Sequence, residues 1–103
     1  MPAFRSDVST RSDTLGSELD LHGLLRFLTV TEAGSFAEAS RLLGVSRQAV
    51  HRSIDALEKE CGGPLIDRDA QGLRPTVTGR KLLSHARALR DIARKVRATV
   101  EAA

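Results

Sequence analysis

The chain is 103 residues long, 41% apolar and 28% charged, with a formal net charge of +3 and a pI of about 9.8; that length supports one core rather than two. A single cysteine excludes an internal disulfide framework or a thiolate zinc site, and three Phe without Trp or Tyr exclude an aromatic platform for sugars or single strands. No apolar run approaches the roughly 20 residues that span a bilayer, and no signal peptide opens the chain, so the expectation is a cytoplasmic protein with no membrane partner, no metal and no cofactor.

Residues 1–18 are rich in Ser, Thr, Asp and Arg, with Arg-Ser-Asp at Arg5 and again at Arg11. No apolar period runs through them, which predicts a disordered tail. From residue 19 a helix begins. Leu21, Leu24, Leu25 and Leu28 fall at i, i+3, i+4 and i+7, Phe27 and Val30 widen the stripe, Asp20 is placed to cap it and Gly34 to stop it. Ser35 caps a short second helix with Phe36, Ala39, Leu42 and Leu43 on one face, closed by Gly44. Ser46 caps a third helix that runs to about Cys61. Only Gly44 and Val45 separate Leu43 from Ser46, so these two helices cross steeply, as in a helix-turn-helix.

Leu65 to Arg68 and Leu73 to Thr76 flank Asp69-Ala70-Gln71-Gly72 and read as a small hairpin, with Pro75 suited to a strand end because it cannot donate to a ladder. Thr76 caps a last helix that can reach the C-terminus, about 26 residues or roughly 39 Å. The predicted fold is mostly α. Residues 19–76 form a winged helix-turn-helix with a three-helix core and a two-stranded wing, and residues 77–103 form a long linker and dimerisation helix.

Charge is distributed unevenly over these elements. Residues 1–40 hold three basic and six acidic side chains, whereas residues 41–103 hold thirteen and seven. A basic second part points to a polyanionic partner, with an ordinary solvated helix surface as the competing reading. On the third helix, Val50, Ser53, Ile54, Leu57 and Cys61 share an arc that would pack inward. Gln48, His51, Arg52 and Asp55 lie opposite, with Arg47 at the margin. An anchored back and a front of long polar side chains is the layout of a recognition helix, though any surface helix has a polar front. Arg47 or Arg52 can bond a guanine bidentately, Gln48 an adenine, and His51 can donate to guanine or to phosphate.

Ser35 and Ser46 place helix N-termini where free N–H groups favour phosphate, and each also reads as a plain cap. Arg41 lies near the turn. Arg68 and Arg74 flank the wing, where they would meet the neighbouring backbone or minor groove; an ion pair with Asp67 or Asp69 competes for Arg68.

On the last helix Leu82, Leu89, Val96 and Ala103 recur every seven residues, with Ala86, Ile92, Ala93 and Val100 between them. This seam is wider than a strict heptad, and the partner it implies is the same helix of a second copy. Packing onto the first helix competes for its N-terminal half, Leu82 and Leu83. His85 reads as a packed or edge residue. Arg87, Arg90, Arg94 and Arg97 lie away from the seam, the first members placed to approach DNA and the distal ones either solvated or in contact with a further domain.

The stretch Gly34-Ser35-Phe36-Ala37-Glu38-Ala39-Ser40-Arg41-Leu42-Leu43-Gly44-Val45-Ser46 resembles the helix-turn-helix of LysR-type transcriptional regulators. The resemblance continues through Ala49-Val50, Ile54, Leu57-Glu58, Gly63-Pro64-Leu65-Ile66-Asp67-Arg68, Thr76 and Gly79, and covers roughly residues 20 to 100. It implies that Arg47, Gln48, His51 and Arg52 face the major groove, that Arg68 and Arg74 belong to the wing, and that the last helix makes a homodimer. Family members usually have Gln-Pro in place of Arg47-Gln48, Ser in place of His51 and Phe in place of Ile66, so the operator cannot be inherited from them. They also carry a large ligand-sensing domain after the linker helix, so this chain reads as a DNA-binding fragment rather than a natural single-domain protein, with no small-molecule effector site of its own.

The expected function is sequence-specific binding of double-stranded DNA by a dimeric transcriptional regulator. Its recognition helices would enter successive major grooves about 34 Å apart on an imperfect palindrome. A single-domain protein-interaction module, or an antagonist of a regulator acting through the long helix, is the alternative. An enzyme is not expected: His22, His51 and His85 fall on three different helices, and neither a phosphate loop nor a carboxylate pair is present.

Overall fold

The computed structural model describes residues 20–69 and 72–103; the expected tail at 1–18 lies outside them. Among the described residues, four helices and one hairpin follow in chain order: α1 (Leu21–Ala33), α2 (Phe36–Leu43), α3 (Arg47–Cys61), β1 (Ile66–Asp69), β2 (Gly72–Pro75) and α4 (Val77–Ala102). This is the mostly helical winged helix-turn-helix that the sequence predicts.

Each helix starts on the residue whose side chain can satisfy an orphan N–H. Asp20 accepts from the His22 amide, Ser35 from Glu38, Ser46 from Ala49 and Thr76 from Gly79. The tight α2–α3 turn depends on Gly44, whose φ of 69° lies in the left-handed region and whose N–H returns to the Ser40 carbonyl at 2.9 Å.

The core is one cluster. Leu24, Phe27, Leu28 and Val30 of α1 meet Phe36 and Ala39 of α2, Val50, Ile54 and Leu57 of α3, Leu65 before the hairpin, and Leu83 and Ala86 of α4. A polar tether runs across it, Arg26 Nη1 donating to Ser53 Oγ at 2.6 Å. Three residues depart from their expected faces, the first being Leu21, which is 49% exposed in the opening turn of α1. Leu42 is 58% exposed, because it sits well round the helix from Phe36 and only Ala39 and Leu43 share the inner arc. Cys61 is also exposed rather than buried, since the last turn of α3 runs past Leu57, the final residue packed against the core. Its thiol is pushed up by partial desolvation and by the Glu60 and Glu58 carboxylates.

The hairpin is antiparallel, with Ile66 opposite Pro75, Asp67 opposite Arg74, Arg68 opposite Leu73 and Asp69 opposite Gly72. Its base is fixed to both neighbouring helices. Glu58 accepts from the Leu65 amide at 2.8 Å, the Thr76 amide donates to the Leu65 carbonyl at 3.0 Å, and the Thr76 hydroxyl donates to the Pro64 carbonyl at 2.9 Å. Gly79 makes this junction possible, because a Cβ there would run into the Leu65 carbonyl oxygen and press on Phe27.

Candidate nucleic-acid interface

Burial of Val50, Ile54 and Leu57 fixes the roll of α3 about its axis, and the opposite side is therefore held outward. Arg47, Gln48, Arg52 and Asp55 are exposed there. The side chains of Arg47, Gln48 and Arg52 make no hydrogen bond or ion pair with any other described residue. Their donors are free to meet a ligand without first breaking an internal contact.

His51 is placed differently from the other members of this arc. It is half-buried, and its imidazole lies flat on Phe36 with ring centroids 3.8 Å apart and an interplanar angle of 7°. Arg68 completes the group, its Cζ 4.6 Å from the Phe36 centroid and its Nη2 3.3 Å from His51 Nδ1. The helix-turn-helix and the wing are thus joined by side chains from α2, α3 and β1. The sequence offered no signal for this contact beyond the presence of a histidine where relatives usually have serine.

The remaining candidates are engaged within the chain. Ser35 and Ser46 act as caps, each accepting one amide at 3.0 Å. Arg41 pairs with Glu38 one turn earlier, its Nε donating at 3.0 Å, and this contact holds the Glu38 carboxyl below the usual carboxylate range. The ion pair anticipated for Arg68 belongs instead to Arg74, which donates to Asp69. Cross-strand register explains the exchange: Asp67 lies directly opposite Arg74 and Asp69 lies two residues further along the same strand, whereas Arg68 alternates to the other side and reaches α3.

Along α4 the predicted seam divides in two. Ala86 is wholly buried with Leu83, so it belongs to the core of the single chain and keeps no surface for a partner; Leu82 and Leu89 are packed partly against the same core. Beyond Arg90 every side chain is exposed, including Ala93, with Ile92 at 56%, Val96 at 57% and Val100 at 69%. Arg87 and Arg90 are both drawn toward α1. Arg90 Nη1 donates to Glu32 of α1 at 2.7 Å, and Arg87 Nε lies 3.9 Å from the same carboxylate. The Arg90 hydrogen bond, aided by the charges of Arg90, Arg87 and Arg94, holds Glu32 below the usual carboxylate range. Glu32 and Arg26, the α1 residues that fasten α4 and α3, were absent from the sequence-based candidates because their partners lie 58 and 27 residues away.

Among the described residues, no three His, Cys, Asp or Glu side chains gather where a metal ion could bind, and no helix is long and apolar enough to cross a membrane.

The arrangement has close counterparts. The chain is 46% identical over 68 residues to the HTH-type transcriptional regulator AbaB of Streptomyces antibioticus, covering 66% of this chain and 23% of that protein. It is 41% identical over 81 residues to the SDS degradation transcriptional activation protein of Pseudomonas sp. strain ATCC 19151, covering 79% and 26%. The chain therefore spans about a quarter of the length of these relatives. Among solved structures it is similar to the CbnR DBD–DNA complex, with a TM-score of 0.70, 31% identity, and coverage of 82% of this chain and 97% of that one. It is also similar to the BenM DBD/catB site 1 DNA complex, with a TM-score of 0.74, 25% identity and coverage of 81% and 93%. Residues 21–80, from the first turn of α1 into α4, match the family described as bacterial regulatory helix-turn-helix proteins of the lysR family. Most of the core, the turn, the wing and the first turn of α4 lie within that match, and the chain belongs to the lysR family of bacterial regulatory helix-turn-helix proteins.

Proposed function

We propose that this chain is the DNA-reading part of a dimeric transcriptional regulator and binds double-stranded DNA sequence-specifically, with α3 in the major groove. The observation that carries this reading is the outward, unpartnered trio Arg47, Gln48 and Arg52 on a helix whose back is locked into the core. Arg and Gln at such a front match guanine and adenine edges in geometry and donor pattern. The similarity to two domains solved with DNA supports the same reading. Such a regulator works at the chromosome, in the cytoplasm, and the geometry asks for no catalytic role.

A second copy would pair through the distal part of α4, where Ile92, Ala93, Val96 and Val100 form an exposed, largely apolar strip at helical spacing. Two recognition helices related by a two-fold axis would then read an imperfect palindrome with half-sites about 34 Å apart.

Titration of random duplexes, and of duplexes selected from a random pool, at several salt concentrations tests the main reading. The selected site should bind at least about a thousandfold more tightly than random DNA, with affinity falling steeply as salt rises. Absence of binding to either duplex at low salt, with the fold intact by circular dichroism, would overturn it. Sedimentation of the Val96→Glu variant tests the pairing: it should run as a monomer at concentrations where the parent is a dimer.

A further inference from the structure

The contact between His51 and Arg68 fixes more than the position of the wing. Arg68 has only donors to offer, so its Nη2 can hydrogen-bond His51 Nδ1 at 3.3 Å only when that nitrogen carries no proton. In the neutral ring the proton then resides on Nε2. The flat stack on Phe36 opposes rotation of the ring, and Nε2 has no partner among the described residues. We propose that Arg68 is a positioning residue acting through His51: it holds His51 as the Nε2–H tautomer, so that the recognition helix presents one fixed donor to a hydrogen-bond acceptor on DNA. This rests on the DNA-binding reading above and deepens it. Arg68 is thereby removed from the phosphate-binding set, and its charge serves the histidine and the Phe36 face instead. The acceptor has the chemistry of a purine N7 or O6 or of a phosphate oxygen.

A double-mutant cycle on a selected duplex tests the assignment, with Arg68→Ala, His51→Phe and both together. His51→Phe keeps an aromatic ring on Phe36 but removes both nitrogens. Each single change should weaken binding by about fivefold or more, and the pair should be no weaker than His51→Phe alone within about twofold, with the salt slope of Arg68→Ala unchanged. Additive losses, or a slope shallower by about one, would make Arg68 a phosphate contact in its own right and overturn the proposal. Nitrogen-15 NMR of the free protein supplies a readout independent of DNA: His51 Nδ1 should resonate as an unprotonated acceptor and move when Arg68 becomes alanine. An unmoved Nδ1 would also overturn it.

Substituting 7-deazapurines (guanine or adenine N7 removed), 2-aminopurine (guanine O6 removed) or backbone methylphosphonate in the site identifies the acceptor as the change that abolishes the His51→Phe effect. If none of these does, His51 is not donating to DNA. Should the parent protein bind no duplex at all, the DNA reading itself fails, and the NMR comparison still decides whether Arg68 sets the tautomer.

Discussion

The recognition helix and the wing present arginines in opposite states. On α3, Arg47 and Arg52 are exposed, and their side chains make no hydrogen bond or ion pair with another described residue. On the wing, Arg68 is drawn onto His51 and Phe36, and Arg74 is paired with Asp69. The difference follows from neighbours. Along the outer face of α3 the only acid close to the two arginines is Asp55, whereas three of the four residues of β1 are charged and two of those are acidic. A free guanidinium can spend its donors on a base edge, while a paired one must first give up its internal partner. Positive charge in the two regions is therefore not equivalent, although the sequence counts it identically.

The contrast can be broken from underneath. Leu57 is fully buried and holds α3 against α1, so Leu57→Ala should cost about 2–5 kcal/mol in chemical denaturation. That is a large share of the roughly 5–15 kcal/mol available to a domain, and binding should fall with the folded fraction. A direct test leaves the fold alone. Arg52→Ala should lose about 1–3 kcal/mol on a selected site in fluorescence anisotropy, with much less loss on random DNA, if Arg52 reads a base. A uniform loss across sequences would make it a phosphate contact.

Smaller effects sharpen the wing. Asp69→Asn removes the acid that holds Arg74 and should raise affinity a few-fold while steepening its salt dependence. The stability change should stay within about 1 kcal/mol, because Arg74 is 63% and Asp69 36% exposed and water screens the pair. Smallest is the α1–α4 clasp. The Glu32 carboxyl titrates below its ordinary value in the folded chain, so its contribution is present above that value and is lost as pH falls through the depressed one. Between roughly pH 5 and pH 3 the parent should lose slightly more stability than Glu32→Gln, by thermal unfolding.

Most of the architecture was legible in the sequence because it is written in short-range signals. Apolar spacing marked α1 and α3, and Ser, Asp or Thr stood at each N-cap with glycine at three of the helix ends. What escaped was decided by neighbours distant in the chain. The inner arc of α3 included Cys61 by angle alone, but among the described residues no other element covers it. Ala86 followed the seam by period, yet α1 reaches that turn of α4 and buries it. His51 read as a free donor until Phe36 supplied a surface to lie on and Arg68 a partner. Side-chain direction on a helix is a local property; what waits in that direction is not.

The junction at Gly79 has a mechanical consequence. The first turn of α4 is seated directly on the Leu65 carbonyl, the same carbonyl that accepts the Thr76 amide at the foot of the wing. No side chain stands between them, so the start of α4 and the foot of the wing are held at one fixed separation. Enlarging residue 79 to alanine would force the two apart, and its first symptom should be a wing displaced from the helix.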